Sequence, residues 1–145
     1  MENSVKKQNA LYMGVDYGKK VTGLALFHPL EDQEPYTFEC IKYESDESLI
    51  REILQKGKSQ GVECYVIGIP CFEDGSISNM GQRVLEFVDK FKLACSSAIY
   101  LQNEYQSSKD ARDHMRESPK FNFTVDETKI DAVAAVIILK KFFQS

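Results

Sequence analysis

Long apolar runs are missing from this sequence, and none approaches the roughly 20 residues that a membrane-spanning helix requires. The first residues are polar, and no apolar stretch of the signal-peptide kind follows Lys6 and Lys7. These absences argue against a membrane protein and against a secreted one, so we expect a cytoplasmic location. Residues 1–10 are expected to form a flexible tail, and residues 11–145 a single domain.

Paired cysteines and an excess of positive charge are also missing. The four cysteines include no C-x-x-C pair, so their spacing favours neither a zinc knuckle nor a thiol redox motif. The formal net charge is −4 at pH 7, whereas strong sequence-independent binding of nucleic acid usually needs a basic surface. Any nucleic-acid function must therefore rest on a local basic patch, or on metal ions that bridge two negative partners.

What the sequence does contain is a clear pattern of strands near its start. An apolar run at residues 11–15 ends at the carboxylate of Asp16, Gly18 follows in a turn, and a second apolar run covers residues 21–27. This pattern is typical of two antiparallel strands joined by a tight turn. Residues 36–43 alternate apolar and polar side chains, which predicts a third, half-exposed strand.

After the third strand the apolar period becomes helical, and helices then alternate with short apolar runs. The predicted elements are a helix from 45 or 46 to about 57–61, a strand at 64–69, a helix opening at 74–76, a strand at 98–101, a polar helix from 107 or 108 to about 115, a charged loop at 117–127 and an apolar helix from about 129 to 143. This order predicts an α/β protein of the ribonuclease H-like fold. Its mixed five-stranded sheet would have three antiparallel strands, then two parallel ones, flanked by helices.

Three carboxylates are expected to meet at one end of this sheet. Asp16 ends the first strand, Glu104 follows the last strand, and Asp131 opens the last helix. Mg²⁺ and Mn²⁺ prefer such oxygen ligands, and two such ions can stabilise both the attacking and the leaving oxygen of a phosphoryl displacement. We therefore predict that Asp16, Glu104 and Asp131 are catalytic metal ligands.

Each carboxylate also has a simpler interpretation. Asp131 lies three residues after Thr128, in the spacing of a helix capping box. Glu104 could be a solvated loop residue, and an aspartate such as Asp16 is common at the end of a strand. Only the three acids together favour a functional site.

Lys19, Lys20 and Ser76 are candidate nucleic-acid ligands. The two lysines follow Asp16 in the first turn and could contact a phosphate backbone, or they could simply be solvated. Ser76 opens the predicted second helix, whose N-terminal amides could bind phosphate. Ser76 could equally be an ordinary N-cap.

Four motifs taken together resemble the YqgF (RuvX) family over roughly residues 11–143. They are Gly14-x-Asp16-x-Gly18-x-Lys20-x-x-Gly23-x-Ala25, Ile67-Gly68-Ile69-Pro70 with Asp74-Gly75-Ser76, Asn103-Glu104, and Lys129-x-Asp131-Ala132-x-Ala134-Ala135. The resemblance implies a ribonuclease H-like bacterial cytoplasmic protein, similar to the RuvC Holliday-junction resolvases. It also implies a metal-dependent nuclease, a hydrolase that matures the 5′ end of precursor 16S rRNA during ribosome biogenesis.

The resemblance also implies a site and partners. Asp16, Glu104 and Asp131 fall on the acidic positions of the family, and the implied cofactor is Mg²⁺ or Mn²⁺. The implied partners are structured RNA or branched DNA, with ribosomal particles as a further partner and no membrane. We expect a monomer or a weak homodimer. One departure is Asn103, which replaces an acid usually found beside Glu104, so metal affinity could be weaker or only one ion could bind.

Three other functions remain compatible with the residues. The chain could be a non-catalytic nucleic-acid or ribosome-assembly module on the same fold, which Asn103 and the net charge favour modestly. It could also act on branched DNA in the manner of a Holliday-junction resolvase. An ATP-binding protein of the actin and hexokinase type begins with a similar hairpin, but those proteins need two such domains to enclose the nucleotide.

Overall fold

The computed structural model describes residues 6–105 and 107–144, apart from the side chains of residues 107 and 108. Its elements are β1 (Leu11–Asp16), β2 (Val21–Phe27), β3 (Tyr36–Lys42), α1 (Asp46–Gln60), β4 (Val62–Pro70), α2 (Asn79–Ala94), β5 (Ala98–Glu104), α3 (Ser107–Arg116), a 3₁₀ turn (Pro119–Phe121) and α4 (Ile130–Gln144). In this part of the chain no helix has the length and apolar character needed to cross a membrane.

The five strands form one sheet in the order β3-β2-β1-β4-β5. The β1–β2 and β2–β3 pairs are antiparallel, whereas the β1–β4 and β4–β5 pairs are parallel. The predicted mixed sheet and its ribonuclease H-like architecture are thereby confirmed. Because β1 is central, the acid at its carboxyl end lies in the middle of one sheet edge.

Helices cover both faces of the sheet, and the alternation of side chains along β1 shows which face each residue serves. Met13 and Val15 pack in a core with the apolar faces of α1 and α2. Tyr12 packs on the opposite face against α4, and Gly14 and Asp16 share that face. The fold is therefore a three-layer α/β/α arrangement in which the carboxylate of Asp16 points to the α4 side.

Two glycines allow α4 to lie directly on the sheet. A Cβ atom at Gly14 would lie 2.8 Å from the carbonyl oxygen of Ala135, and one at Gly23 would lie 2.0 Å from the carbonyl carbon of Asp131. Real Cβ atoms do not approach backbone so closely, so any larger residue would push α4 away. The start of α4 therefore contacts β2 next to the end of β1.

Several predicted boundaries were wrong. The strand predicted at 64–69 extends over Val62–Pro70, and the strand predicted at 98–101 continues to Glu104. Gln102, Asn103 and Glu104 pair with Gly68, Ile69 and Pro70 of β4. Strand pairing therefore places Glu104 inside the sheet and not in a loop after it. The predicted flexibility of residues 1–10 falls partly on residues 1–5, outside the described residues, and stays a prediction.

The second helix was predicted to open at residues 74–76, and this was wrong. It begins at Asn79, and its N-cap is Ser78, whose hydroxyl oxygen accepts a hydrogen bond from the amide of Gly81 at 3.0 Å. The same hydroxyl donates to the carbonyl of Pro70 at 3.0 Å, which ties the helix start to the end of β4. Ser76 instead lies in the preceding loop and bonds to Asp74.

This assignment gives a direct stability test. Ser78→Ala should lower the free energy of unfolding by about 1 kcal/mol, because an N-cap hydrogen bond is lost. Ser76→Ala, the matched control, should change it by less than about 0.5 kcal/mol, as expected for an exposed residue. Urea unfolding of both variants measures the difference, and an equal loss in both would contradict the N-cap assignment.

Candidate active site

Asp16 is the last residue of the central strand and pairs with Gly23 of β2. Its side chain is partly buried on the α4 side of the sheet. Gly23 leaves room for the backbone of Asp131, which opens the first turn of α4. The lack of a side chain at Gly23 of β2 therefore brings two aspartates from distant parts of the chain to the same corner of the sheet.

The structure does not contain the capping box that the spacing of Thr128 and Asp131 suggested. The hydroxyl and the amide of Thr128 both donate to Asp126, so Thr128 does not form the proposed box with Asp131. The carboxylate of Asp131 is half-buried and remains beside Asp16.

Glu104, at the end of β5, is the most enclosed of the three acids, with only 4% of its surface exposed. One carboxylate oxygen, Oε2, lies 3.3 Å from the amine of Lys141 on α4. The other oxygen, Oε1, is buried and has no hydrogen-bond partner. An unpartnered buried carboxylate oxygen is costly and marks a place where a ligand could bind.

The three carboxylates interact electrostatically. Burial, followed by the charges of Asp131 and Glu104, raises the pKa of Asp16 to about 8. Burial raises the pKa of Glu104 to about 7 although Lys141 opposes the rise. Burial also raises the pKa of Asp131, against the lowering effect of Arg112. The structure therefore places Asp131 and Glu104 near enough to Asp16 for their charges to raise its pKa, and burial of the three acids has an energetic cost.

The three carboxylates do not form a complete metal-binding site. Within residues 6–105 and 107–144, no group of three or more His, Cys, Asp or Glu side chains is arranged so that it could hold a metal ion. Glu104 instead directs one oxygen to Lys141. Binding of one cation by all three carboxylates would therefore require side-chain movement.

Comparison with known proteins identifies the family. A sequence model of RuvX, described as Holliday junction resolvase, matches residues 10–145. The chain belongs to the RuvX family. This confirms the family predicted from the four motifs.

Named RuvX relatives are similar over nearly their whole length. A protein of Nitratidesulfovibrio vulgaris (strain DSM 19637 / Miyazaki F), named "Putative pre-16S rRNA nuclease", is 30% identical over 131 residues, which cover 90% of this chain and 91% of the relative. A protein of the same name from Thermoanaerobacter pseudethanolicus is 29% identical over 133 residues, with coverage of 92% and 95%.

Solved structures with the same fold include resolvases bound to DNA. Thermus thermophilus RuvC in complex with a Holliday junction substrate has a TM-score of 0.56 at 14% identity, covering 94% of this chain and 96% of that chain. The complex of fowlpox virus resolvase with Holliday junction DNA has a TM-score of 0.53 at 13% identity, covering 92% and 95%. At these identities the likeness supports the fold alone.

Two basic residues of the site were missed by sequence reasoning. Lys141, near the end of α4, contacts Glu104, and its amine also lies 3.3 Å from Asp110 of α3. Arg112 of α3 lies close enough to Asp131 to affect its pKa and pairs with Glu127 at 3.4 Å. The pair of lysines near the end of a mostly apolar helix was the signal for Lys141. Its partner could not be inferred without knowing that β5 runs on to Glu104.

The structure places the predicted nucleic-acid ligands differently from one another. Lys19 and Lys20 are exposed in the turn directly after β1, at the end of the sheet where β1 terminates in Asp16. Ser76 lies in the loop before α2, where its hydroxyl donates to Asp74 at 2.6 Å.

Asn103 is exposed and, because side chains alternate along a strand, faces away from Glu104. The acid that Asn103 replaces would therefore project from the opposite face of the sheet.

The raised pKa values predict a pH dependence of stability for the metal-free protein. Well below pH 4 the folded and unfolded chains both hold these protons. As the pH rises towards 8, the unfolded chain ionises first, so the folded state loses stability, and the loss is complete above the folded pKa of Asp16. Asp16→Asn should flatten this fall and should gain at least about 1 kcal/mol over wild type at pH 8.5.

Urea unfolding between pH 5 and pH 8.5, with a chelator present, measures this dependence. Asp89→Asn is a suitable control because Asp89 is exposed on α2 and the substitution removes the same charge. Parallel pH curves for wild type and Asp16→Asn would contradict the raised pKa of Asp16.

Proposed function

We propose that this RuvX protein is a metal-dependent endonuclease that hydrolyses structured nucleic acid and processes the 5′ end of precursor 16S rRNA in the cytoplasm. The observation that supports this most directly is the corner of the sheet where burial raises the pKa values of Asp16, Glu104 and Asp131, and where the charges of Asp131 and Glu104 raise that of Asp16 further. Such perturbed clusters are typical of functional sites. The names of the relatives, quoted above, support precursor 16S rRNA as the substrate.

The donor set suits Mg²⁺ or Mn²⁺. These hard cations take carboxylate oxygens and keep several waters, and Glu104 Oε1 is a buried oxygen still without a partner. A bound cation would also offset the repulsion among the three carboxylates. When bound, the metal would supply positive charge that stabilises the phosphodiester as it is hydrolysed.

The remaining roles belong to side chains of this chain. Asp16, Glu104 and Asp131 would hold the metal. Lys19 and Lys20, exposed just past Asp16, would bind the phosphate backbone and provide the local positive charge that the net charge of −4 makes necessary. Lys141 would hold Glu104 in place when the metal is absent.

A second candidate function is the resolution of branched DNA. It is supported by the fold, because RuvC and the fowlpox virus resolvase were both solved with Holliday junctions. A third candidate is a binding module without catalysis. It is supported by the absence, among the described residues, of a complete set of side chains that could hold a metal ion.

A single cleavage experiment separates the three candidates. The substrates are a precursor 16S rRNA fragment with its 5′ extension, a four-way DNA junction, and an unstructured RNA of equal length. We expect cleavage of the precursor with Mg²⁺ or Mn²⁺ and none with a chelator. Cleavage of the junction alone would favour the resolvase, and binding without cleavage of any substrate would favour the module.

A further inference from the structure

The loop before α4 presents a phenylalanine to solvent. The side chain of Phe123 is 60% exposed. Its φ is 58°, and the φ of the preceding Asn122 is 55°. Left-handed backbone is unusual for bulky residues and costs free energy, and such residues cluster at functional sites. Phe123 is thus exposed and conformationally unfavourable at once.

Hydrogen bonds fix this conformation. The amide of Phe123 donates to the carbonyl of Ser118 at 3.0 Å, and the amide of Asn122 donates to the carbonyl of Pro119 at 3.0 Å. The neighbouring Phe121 packs against the core between α3 and α4, and Phe123 does not belong to that core. The loop therefore holds one aromatic ring inward and the other outward.

Two lysines surround the same loop. The amines of Lys120 and Lys129 lie 6.0 Å and 5.9 Å from the centre of the Phe121 ring. Asp126 accepts a hydrogen bond from Thr128, and the charge of Lys129 also helps to lower its pKa, whereas Glu127 pairs with Arg112. Neither lysine forms an ion pair within the described residues. Two exposed lysines therefore share this loop with the exposed ring of Phe123, on a protein of net charge −4.

We propose that Phe123, Lys120 and Lys129 form a binding site for an unpaired nucleotide, here named the loop platform. Its base would stack on the exposed ring of Phe123, and the lysines would bind the flanking phosphates. Aromatic rings combined with basic side chains are the usual means of binding single-stranded nucleic acid. The choice of a nucleic-acid ligand rests on the proposed function, and Lys129 lies two residues before Asp131, next to the acidic corner.

The chain has no tryptophan, which allows a direct test. Phe123→Trp introduces a single indole at the platform. Fluorescence is titrated with a single-stranded oligoribonucleotide and with an abasic oligomer of the same length, both with a chelator present. Leu93→Trp is the control, because Leu93 is 91% exposed on α2, on the other side of the sheet.

We expect the oligoribonucleotide to quench Phe123→Trp and the abasic oligomer to leave its emission nearly unchanged. Leu93→Trp should respond to neither. An equal response to both oligomers would mean that phosphate alone is bound, and no response would mean that this ring binds no base. Either result overturns the proposal.

Phe123→Gly separates binding from folding. Glycine adopts left-handed backbone without strain, so the urea midpoint should stay unchanged or rise. Affinity for the oligoribonucleotide, measured by fluorescence anisotropy, should fall about tenfold, as expected for the loss of one stacked base. Unchanged affinity would contradict the platform.

The platform and the nuclease can fail independently. Binding is measured without metal, whereas cleavage requires it. Base-dependent quenching without any cleavage would leave the platform standing and refute the nuclease. Metal-dependent cleavage by wild type, with unchanged affinity in Phe123→Gly, would support the nuclease and refute the platform.

Discussion

Asp16→Asn should reduce metal-dependent cleavage of precursor 16S rRNA by at least about a hundredfold while the protein stays folded. Asp16 lies at the end of the central strand, and its carboxylate interacts with those of Asp131 and Glu104. Asparagine keeps the size of the side chain but removes its negative charge. Loss of a charged metal ligand costs several kcal/mol of transition-state stabilisation, which corresponds to this factor.

The measurement is a single-turnover cleavage rate at saturating protein. Calorimetric titration with Mn²⁺ should show a parallel loss of metal affinity, which separates a metal ligand from a residue that only positions the substrate. Asp89→Asn, which removes an exposed charge on α2, should cleave as wild type does. Equal cleavage by Asp16→Asn and wild type would refute the proposed site.

The same substitution should stabilise the metal-free fold at alkaline pH, as argued above from the raised pKa. Lower activity together with higher stability is a combination that simple misfolding cannot produce. It is typical of residues kept for function at a cost in stability.

Most of the fold could be predicted because its strands have regular apolar patterns. The bounds of β2 agree with the structure, since Val21 and Phe27 are the ends of a largely apolar run between polar turns. The parallel strands were predicted too short. The last three residues of β5 are polar, and their pairing with Gly68, Ile69 and Pro70 of β4 keeps them in the sheet.

The site was predictable in part for a related reason. Asp16 and Asp131 follow recognisable local signals, a strand end and a helix start. Lys141 has no such signal, because its contact with Glu104 joins residues 37 positions apart. Helix starts are ambiguous in the same way, since Ser76 and Ser78 are equally good N-caps by type, and only the carbonyl of Pro70 selects Ser78.

A buried ion network on the other face of the sheet gives the largest expected effect on stability. Asp46, 2% exposed at the start of α1, accepts hydrogen bonds from Tyr17 at 2.9 Å, Tyr43 at 3.0 Å, Arg83 at 3.0 Å and Lys90 at 3.1 Å. Burial opposes ionisation of this carboxyl. The hydrogen bonds, led by that of Arg83, outweigh burial and hold the pKa of Asp46 well below its usual range.

Asp46→Ala should therefore lower the free energy of unfolding by about 3 kcal/mol or more at pH 7. It removes the acceptor shared by Tyr17, Tyr43, Arg83 and Lys90, and leaves the Arg83 guanidinium with the Tyr43 hydroxyl in place of a carboxylate. Glu47→Ala is the matched control, because Glu47 is exposed and only 3.7 Å from the same Lys90. That control should lose less than about 1 kcal/mol.

Urea unfolding at several pH values tests the argument further. The pKa of Asp46 is lowered on folding, so its stabilisation is present above about pH 4 and is lost as the pH falls towards the folded pKa. The difference between wild type and Asp46→Ala should shrink below pH 4, whereas the Glu47→Ala difference should stay small throughout. Tyr17 follows Asp16 directly and donates a hydrogen bond to Asp46, which links the network to the acidic corner. If Asp46→Ala lost activity but kept the stability of wild type, the network would position the acidic corner without stabilising the fold.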